Sequence, residues 1–151
     1  IQAGIGFDAA LKIVNSALLV KSGDESLSTV DVAALDLFDG NVEFMKAGAS
    51  VSILRRAGRA VVVDNPSLPV GILNDTRFAK STDRIAEGDL VILLTDGALS
   101  SGCDWICETA EKWDGTIPQE LAEDLVSQAV ARRSDGHDVT ALVLLAAEQQ
   151  Y

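Results

Sequence analysis

An α+β fold is what this sequence predicts, and three observations predict it. Strand-like apolar runs crowd the middle of the chain, between Val30 and Thr95. Helix-period stretches lie mainly before and after them rather than between them. Two turn signals, Asp39-Gly40 and Ala57-Gly58, join neighbouring runs at hairpin distance. Hairpin-linked strands segregated from helices give an antiparallel sheet or sandwich with helices packed on it.

The elements follow in order. Phe7, Ala10, Leu11, Val14 and Leu18 recur at helical spacing, so residues 7–21 read as an amphipathic helix ended by Gly23-Asp24. Val30–Leu37 and Asn41–Lys46 form the first hairpin around Asp39-Gly40, and Val51–Arg55 and Arg59–Val63 form the second. Asn65-Pro66 and Leu68-Pro69 break the chain. Residues 77–83 read as an edge strand, turned by Glu87-Gly88-Asp89 into a buried strand over 90–95. Trp105, Thr109 and Trp113 mark the next helix. Thr116-Ile117-Pro118-Gln119 resembles a capping box with an early proline and opens another, with Leu121, Leu125 and Ala129 on one row. The run 139–147 is almost wholly apolar and predicts a last strand buried on both faces.

The 151 residues, 48% of them apolar, suit one domain, 1–151, with a real core. No run reaches membrane-spanning length. A net charge of −11 repels nucleic acid and anionic lipid, so neither is an expected partner. The same charge opposes a phosphorylated substrate unless metal ions or a basic cluster offset it. Cys103 and Cys107, four apart, suit neither a long-loop disulfide nor a four-ligand zinc site. They read as buried reduced thiols, which points to a cytosolic setting.

Thr95-Asp96-Gly97 ends the apolar run Leu90–Leu94, and His137-Asp138-Val139-Thr140 opens the last one. Alone, the first triplet is a turn signal. Together, the two put acidic positions at the ends of two strands, where they can converge on a hard cation such as magnesium or manganese.

The ordered set Val14-Asn15-Ser16, Thr29-Val30-Asp31, Lys46-Ala47-Gly48-Ala49, Leu68-Pro69-Val70-Gly71-Ile72, Thr95-Asp96-Gly97 and His137-Asp138-Val139-Thr140 covers nearly the whole chain. It resembles the phosphatase domains of the stage II sporulation protein E family, which are metal-dependent, protein phosphatase 2C-like serine/threonine phosphatases. The resemblance implies an α-β-β-α sandwich, incomplete here. It implies two manganese or magnesium ions held by Asp side chains, whose bridging water attacks a phosphoserine. The implied substrate is a phosphorylated anti-anti-sigma factor in sporulation signalling, and the implied setting is the cytoplasmic part of a membrane-anchored protein.

Carried over by position, Asp96 is the catalytic metal ligand, and Gly97 lets the backbone turn close to the site. The family has Asp-Asp-x-Thr where this chain has His137-Asp138-Val139-Thr140, so His137 stands at the ligand place and Asp138 at the next. Successive strand residues point to opposite faces, so Asp138 replaces that ligand only with a shift. His137 is either a manganese ligand or a surface loop residue. The family's Asp-Gly-Met-Gly segment, with a further metal ligand, has no counterpart here. The expectation is therefore a domain cut short at its N-terminal end and inactive by itself, with a catalytically dead docking module as the alternative. An uncovered apolar stripe on helix 7–21 predicts self-association as a homodimer. Arg55-Arg56 with Arg59 reads as an exposed hairpin tip, and Arg132-Arg133 as charges meeting a helix C-terminus.

Overall fold

The computed structural model describes residues 6–21, 28–72, 78–133 and 136–147. The described elements are helix α1 (Phe7–Lys21), strands β1 (Val30–Leu35), β2 (Asn41–Ala47), β3 (Ser52–Arg56), β4 (Arg59–Val63), β5 (Ala79–Arg84) and β6 (Leu90–Leu94), helices α2 (Asp104–Lys112) and α3 (Pro118–Arg132), and strand β7 (Ala141–Leu145). The α+β expectation holds: the strands form one sheet of order β1-β2-β5 and another of order β4-β3-β6-β7. Compactness divides the chain into two units, one built chiefly from residues 1–34, 43–49 and 65–82, the other from 35–42, 50–64 and 83–151.

In the first unit, α1 takes the bounds its periodicity predicts. Leu11 and Asn15 form its buried face, whereas Val14 is 45% exposed. The Asn15 side-chain oxygen accepts the Gly71 N–H at 2.9 Å, so the stripe turned inward is polar as well as apolar. Strand β2 is buried through Phe44, Met45, Lys46 and Ala47. A fully buried lysine is tolerable because its ammonium meets a carboxylate, Asp31, at 2.7 Å. Gly48 adopts φ +60, and a Cβ there would lie 2.5 Å from the Pro69 ring. Strand β5 lies at the sheet edge, as expected, and Lys80 ties it to Asp8 at 2.6 Å and Glu43 at 3.4 Å.

In the second unit, β3 pairs antiparallel with β4 and with β6, and β6 with β7. Leu90, Ile92 and Leu94 alternate onto one face of β6 and join Ile53 and Val143 against α2 and α3. The helices contribute Ile106, Ala110, Leu121, Ala122, Leu125 and Ala129 to that core. Val91 and Leu54, paired on the other face, are also buried.

Three expectations need correction. Strand β7 spans only Ala141–Leu145, pairs with no described strand beyond β6, and is not buried on both faces, since Leu142 is 51% exposed. The α3 cap is Ile117 rather than Thr116, and no side chain caps it. Gln119 bonds Glu123 at 2.9 Å instead, while Pro118 takes the first turn, where its missing N–H costs nothing. The thiols of Cys103 and Cys107 are free but only half-buried.

Candidate metal-binding corner

Strand β6 ends at Leu94, and a 3-10 turn over Asp96–Leu99 follows directly. A strand that stops at a tight turn presents its next side chain at the sheet rim. Asp96 is accordingly exposed, and its carboxylate accepts no hydrogen bond from any described residue. Residues 136–140 lie against the same rim. The Thr95 N–H donates to the Thr140 carbonyl at 3.1 Å. The Thr95 hydroxyl accepts the Thr140 N–H at 2.9 Å and donates to the Asp138 carbonyl at 3.3 Å. One threonine therefore locks the entry of β7 to the exit of β6.

Gly97 makes the approach close. It is buried, and a Cβ there would stand 2.4 Å from the Asp138 carbonyl oxygen and 3.2 Å from that of His137. Glycine is required here by lack of space, since its φ is not left-handed. Arg133, at the end of α3, donates to the His137 carbonyl and draws the connection closed. Asp96, His137 and Asp138 are thus brought to one end of one sheet, all exposed.

His137 and Asp138 precede β7, so the strand rule that would send them to opposite faces does not govern them. Either can turn toward Asp96 without a register shift. Carboxylate and imidazole donors suit a manganese or magnesium ion in kind. Among the described residues, no three His, Cys, Asp or Glu side chains gather to hold a metal.

The remaining signature segments are spent within the first unit's own scaffold. Asn15 meets Gly71, Asp31 meets Lys46, Gly48 meets Pro69, and Ser28 bridges Val70. The Arg55 expectation is overturned. Its guanidinium donates to the carbonyls of Ala110 at 3.1 Å, Trp113 at 2.6 Å and Gly88 at 2.7 Å, and lies 5.7 Å from the Trp113 ring centroid. It ties helix α2 to the sheet and is no hairpin tip. Arg56 does remain exposed, paired with Asp83. Arg132 stacks over the Trp105 ring at 4.6 Å as well as ending α3.

Sequence reasoning missed Asp89, which is 5% exposed. Its two oxygens accept the N–H groups of Ala57 at 3.0 Å and Ala86 at 2.9 Å. A Gly-Asp pair in a turn carries no sign of that burial.

A family model described as stage II sporulation protein E matches residues 1–147. The chain is 29% identical over 140 residues to stage II sporulation protein E of Bacillus subtilis (strain 168), covering 89% of this chain and 17% of that protein. It is 30% identical over 152 residues to the Priestia megaterium protein of the same name, covering 95% and 26%. The chain therefore spans about a quarter or less of the curated relatives it matches. Among solved structures, the PP2C phosphatase domain with a regulatory-domain fragment of SpoIIE from Bacillus subtilis superposes with a TM-score of 0.83 at 29% identity, covering 95% of this chain and 45% of that one. The manganese-presoaked phosphatase domain of the same protein gives 0.72 at 28% identity, covering 98% and 69%.

Proposed function

The chain belongs to the stage II sporulation protein E family, and from that premise we propose that it forms part of a metal-dependent serine/threonine protein phosphatase domain. The observation that carries the reading is the exposed, unbonded Asp96 at a rim shared with His137 and Asp138. Asp89, at the other end of the same strand, instead accepts two backbone N–H groups. Charge supports the same reading: on a chain of net charge −11, two acidic side chains at a rim repel a phosphoryl group unless a cation lies between them. A bound divalent ion supplies that neutralisation and acidifies a bound water. From this chain Asp96, with His137 or Asp138, would hold it. We assign manganese or magnesium as the ion and a phosphorylated anti-anti-sigma factor as the substrate, both on family grounds.

The test uses the full-length protein with Mn2+ titrated against a phosphoserine protein substrate. Asp96→Asn is expected to lower turnover by at least about 100-fold, since even residues that only support metal ligands cost 10–100-fold. Substrate affinity is expected to stay unchanged. Turnover within a factor of two of wild type would overturn the assignment. Of His137→Asn and Asp138→Asn, the one that removes a ligand raises the Mn2+ concentration needed for half-maximal activity.

A second reading, a docking module without catalysis, is favoured by the incomplete donor set among the described residues. Metal-independent substrate binding with no turnover by the full-length protein would establish it.

Self-association is a separate proposal. Ile13 and Val20, 58% and 88% exposed, share one face of α1, and Val14, 45% exposed, borders it, an apolar surface that a second copy would cover. Light scattering is expected to show a dimer that Val14→Asp dissociates. A monomer before and after the change ends this proposal.

A further inference from the structure

Cys103 and Cys107 are the only cysteines of the chain, and nothing in the phosphatase reading uses them. They stand one helical turn apart at the start of α2. Cys103 has αR backbone angles, φ −104 and ψ −9, and its carbonyl accepts the Cys107 N–H at 3.1 Å. The i,i+4 relation is therefore helical, with the Cβ atoms about 5–6 Å apart on one face. A relaxed disulfide needs Cβ atoms about 3.5–4.5 Å apart, so the pair is too wide to close on itself. Two metal–sulfur bonds of about 2.3 Å each span about 4.5 Å between sulfurs, a separation that side chains on Cβ atoms about 5–6 Å apart can reach. Both thiols are half-buried, and Cys107 also packs against the core of the second unit, so the pair is held on one side and open on the other.

We propose that Cys103 and Cys107 form a two-sulfur clasp for a single thiophilic d10 cation of the Cu(I) type. Two thiols are half of what a structural zinc site takes, whereas soft thiolates select Cu(I). The exchange balances simply. Both S–H bonds break, two protons pass to the buffer, and two Cu–S bonds form with no change of oxidation state. Burial, followed by the nearby Cys103 sulfur and the carboxylates of Asp104 and Glu111, pushes the Cys107 thiol up. Uptake displaces the two thiol protons, so it strengthens as pH rises.

The test is anaerobic competition of the full chain for Cu(I) against a chromogenic chelator. Wild type is expected to withdraw one ion per chain. Cys103→Ser and Cys107→Ser should each weaken retention by about 100-fold or more, the gain expected from tethering a second ligand. A variant carrying Cys107→Ser with Glu108→Cys keeps two thiols but places them five residues apart, off one face. It should behave like the single variants. Far-UV circular dichroism and thermal midpoints separate loss of the site from loss of the fold. The proposal is overturned if wild type takes up no ion or two, if either single variant retains Cu(I) as tightly as wild type, or if the five-residue variant does so.

Discussion

Strand β6 has an aspartate beside each end, and the two have opposite fates. Asp89 precedes Leu90, is 5% exposed, and accepts two backbone N–H groups from the loops at Ala57 and Ala86. Asp96 follows Thr95, is exposed, and accepts nothing from any described residue. Each neighbours a glycine in a turn, so composition does not separate them. The difference lies in what the carboxylate is left free to do. At one end it replaces water for two loop amides, and at the other it keeps its full acceptor capacity for something outside the chain.

That contrast predicts unequal costs. Asp89→Ala strands two N–H groups in a part-buried site and is expected to cost about 3 kcal/mol, at about 1.5 kcal/mol per bond to a charged acceptor. Asp96→Ala breaks no bond and should change stability by less than about 0.5 kcal/mol, as exposed substitutions do. Urea midpoints at constant slope measure both. Equal midpoints for the two variants would erase the distinction and remove the main argument for Asp96 as a ligand.

Gly97 sharpens the comparison at the exposed end. An added methyl would press on the Asp138 carbonyl at 2.4 Å, and that oxygen is backbone rather than a side chain able to swing away. Gly97→Ala is expected to cost about 2 kcal/mol, within the range for overpacking. It should also part the rim, so the Thr140 amide, now bonded to the Thr95 hydroxyl at 2.9 Å, exchanges faster with deuterium. Unchanged protection of Thr140 would show that the two strand ends are not clamped as described.

How much of this was legible in the sequence depended on whether the signal was local. Helix α1 was read to both ends, because its apolar spacing and the glycine after it are local facts. The Asp96 turn was legible for the same reason, since an apolar strand followed by Asp-Gly must turn at a sheet rim. The exposure of Leu142 in β7 was not, because an apolar run looks alike whether its strand is covered on one face or both. Arg55 was misread because its three carbonyl partners lie 33 to 58 residues away in sequence. Asp89 escaped for that reason too, as Ala57 is 32 residues distant. The backbone of His137 and Asp138 does approach Gly97 and Thr95, but these residues lie before β7, so strand alternation does not apply to them.

The smallest effect tests the buried end. Ala57 and Gly58 form a two-residue turn between Arg56 and Arg59, with φ values of 48 and 77. Positive φ at both positions is the hairpin geometry that fits strand twist. An alanine there carries about 1–2 kcal/mol of left-handed strain. Glycine removes the strain but loses about 0.4–1 kcal/mol through its freer unfolded chain. Ala57→Gly should therefore stabilise the protein by about 0.5 kcal/mol. The strain persists because Asp89 holds the Ala57 N–H. With Asp89→Ala the turn can relax, so the benefit of glycine should shrink toward zero, a coupling that a double-mutant cycle reads directly. An undiminished gain in the Asp89→Ala background would mean that the buried carboxylate does not hold the turn, and that its contrast with Asp96 rests on the Ala86 bond alone.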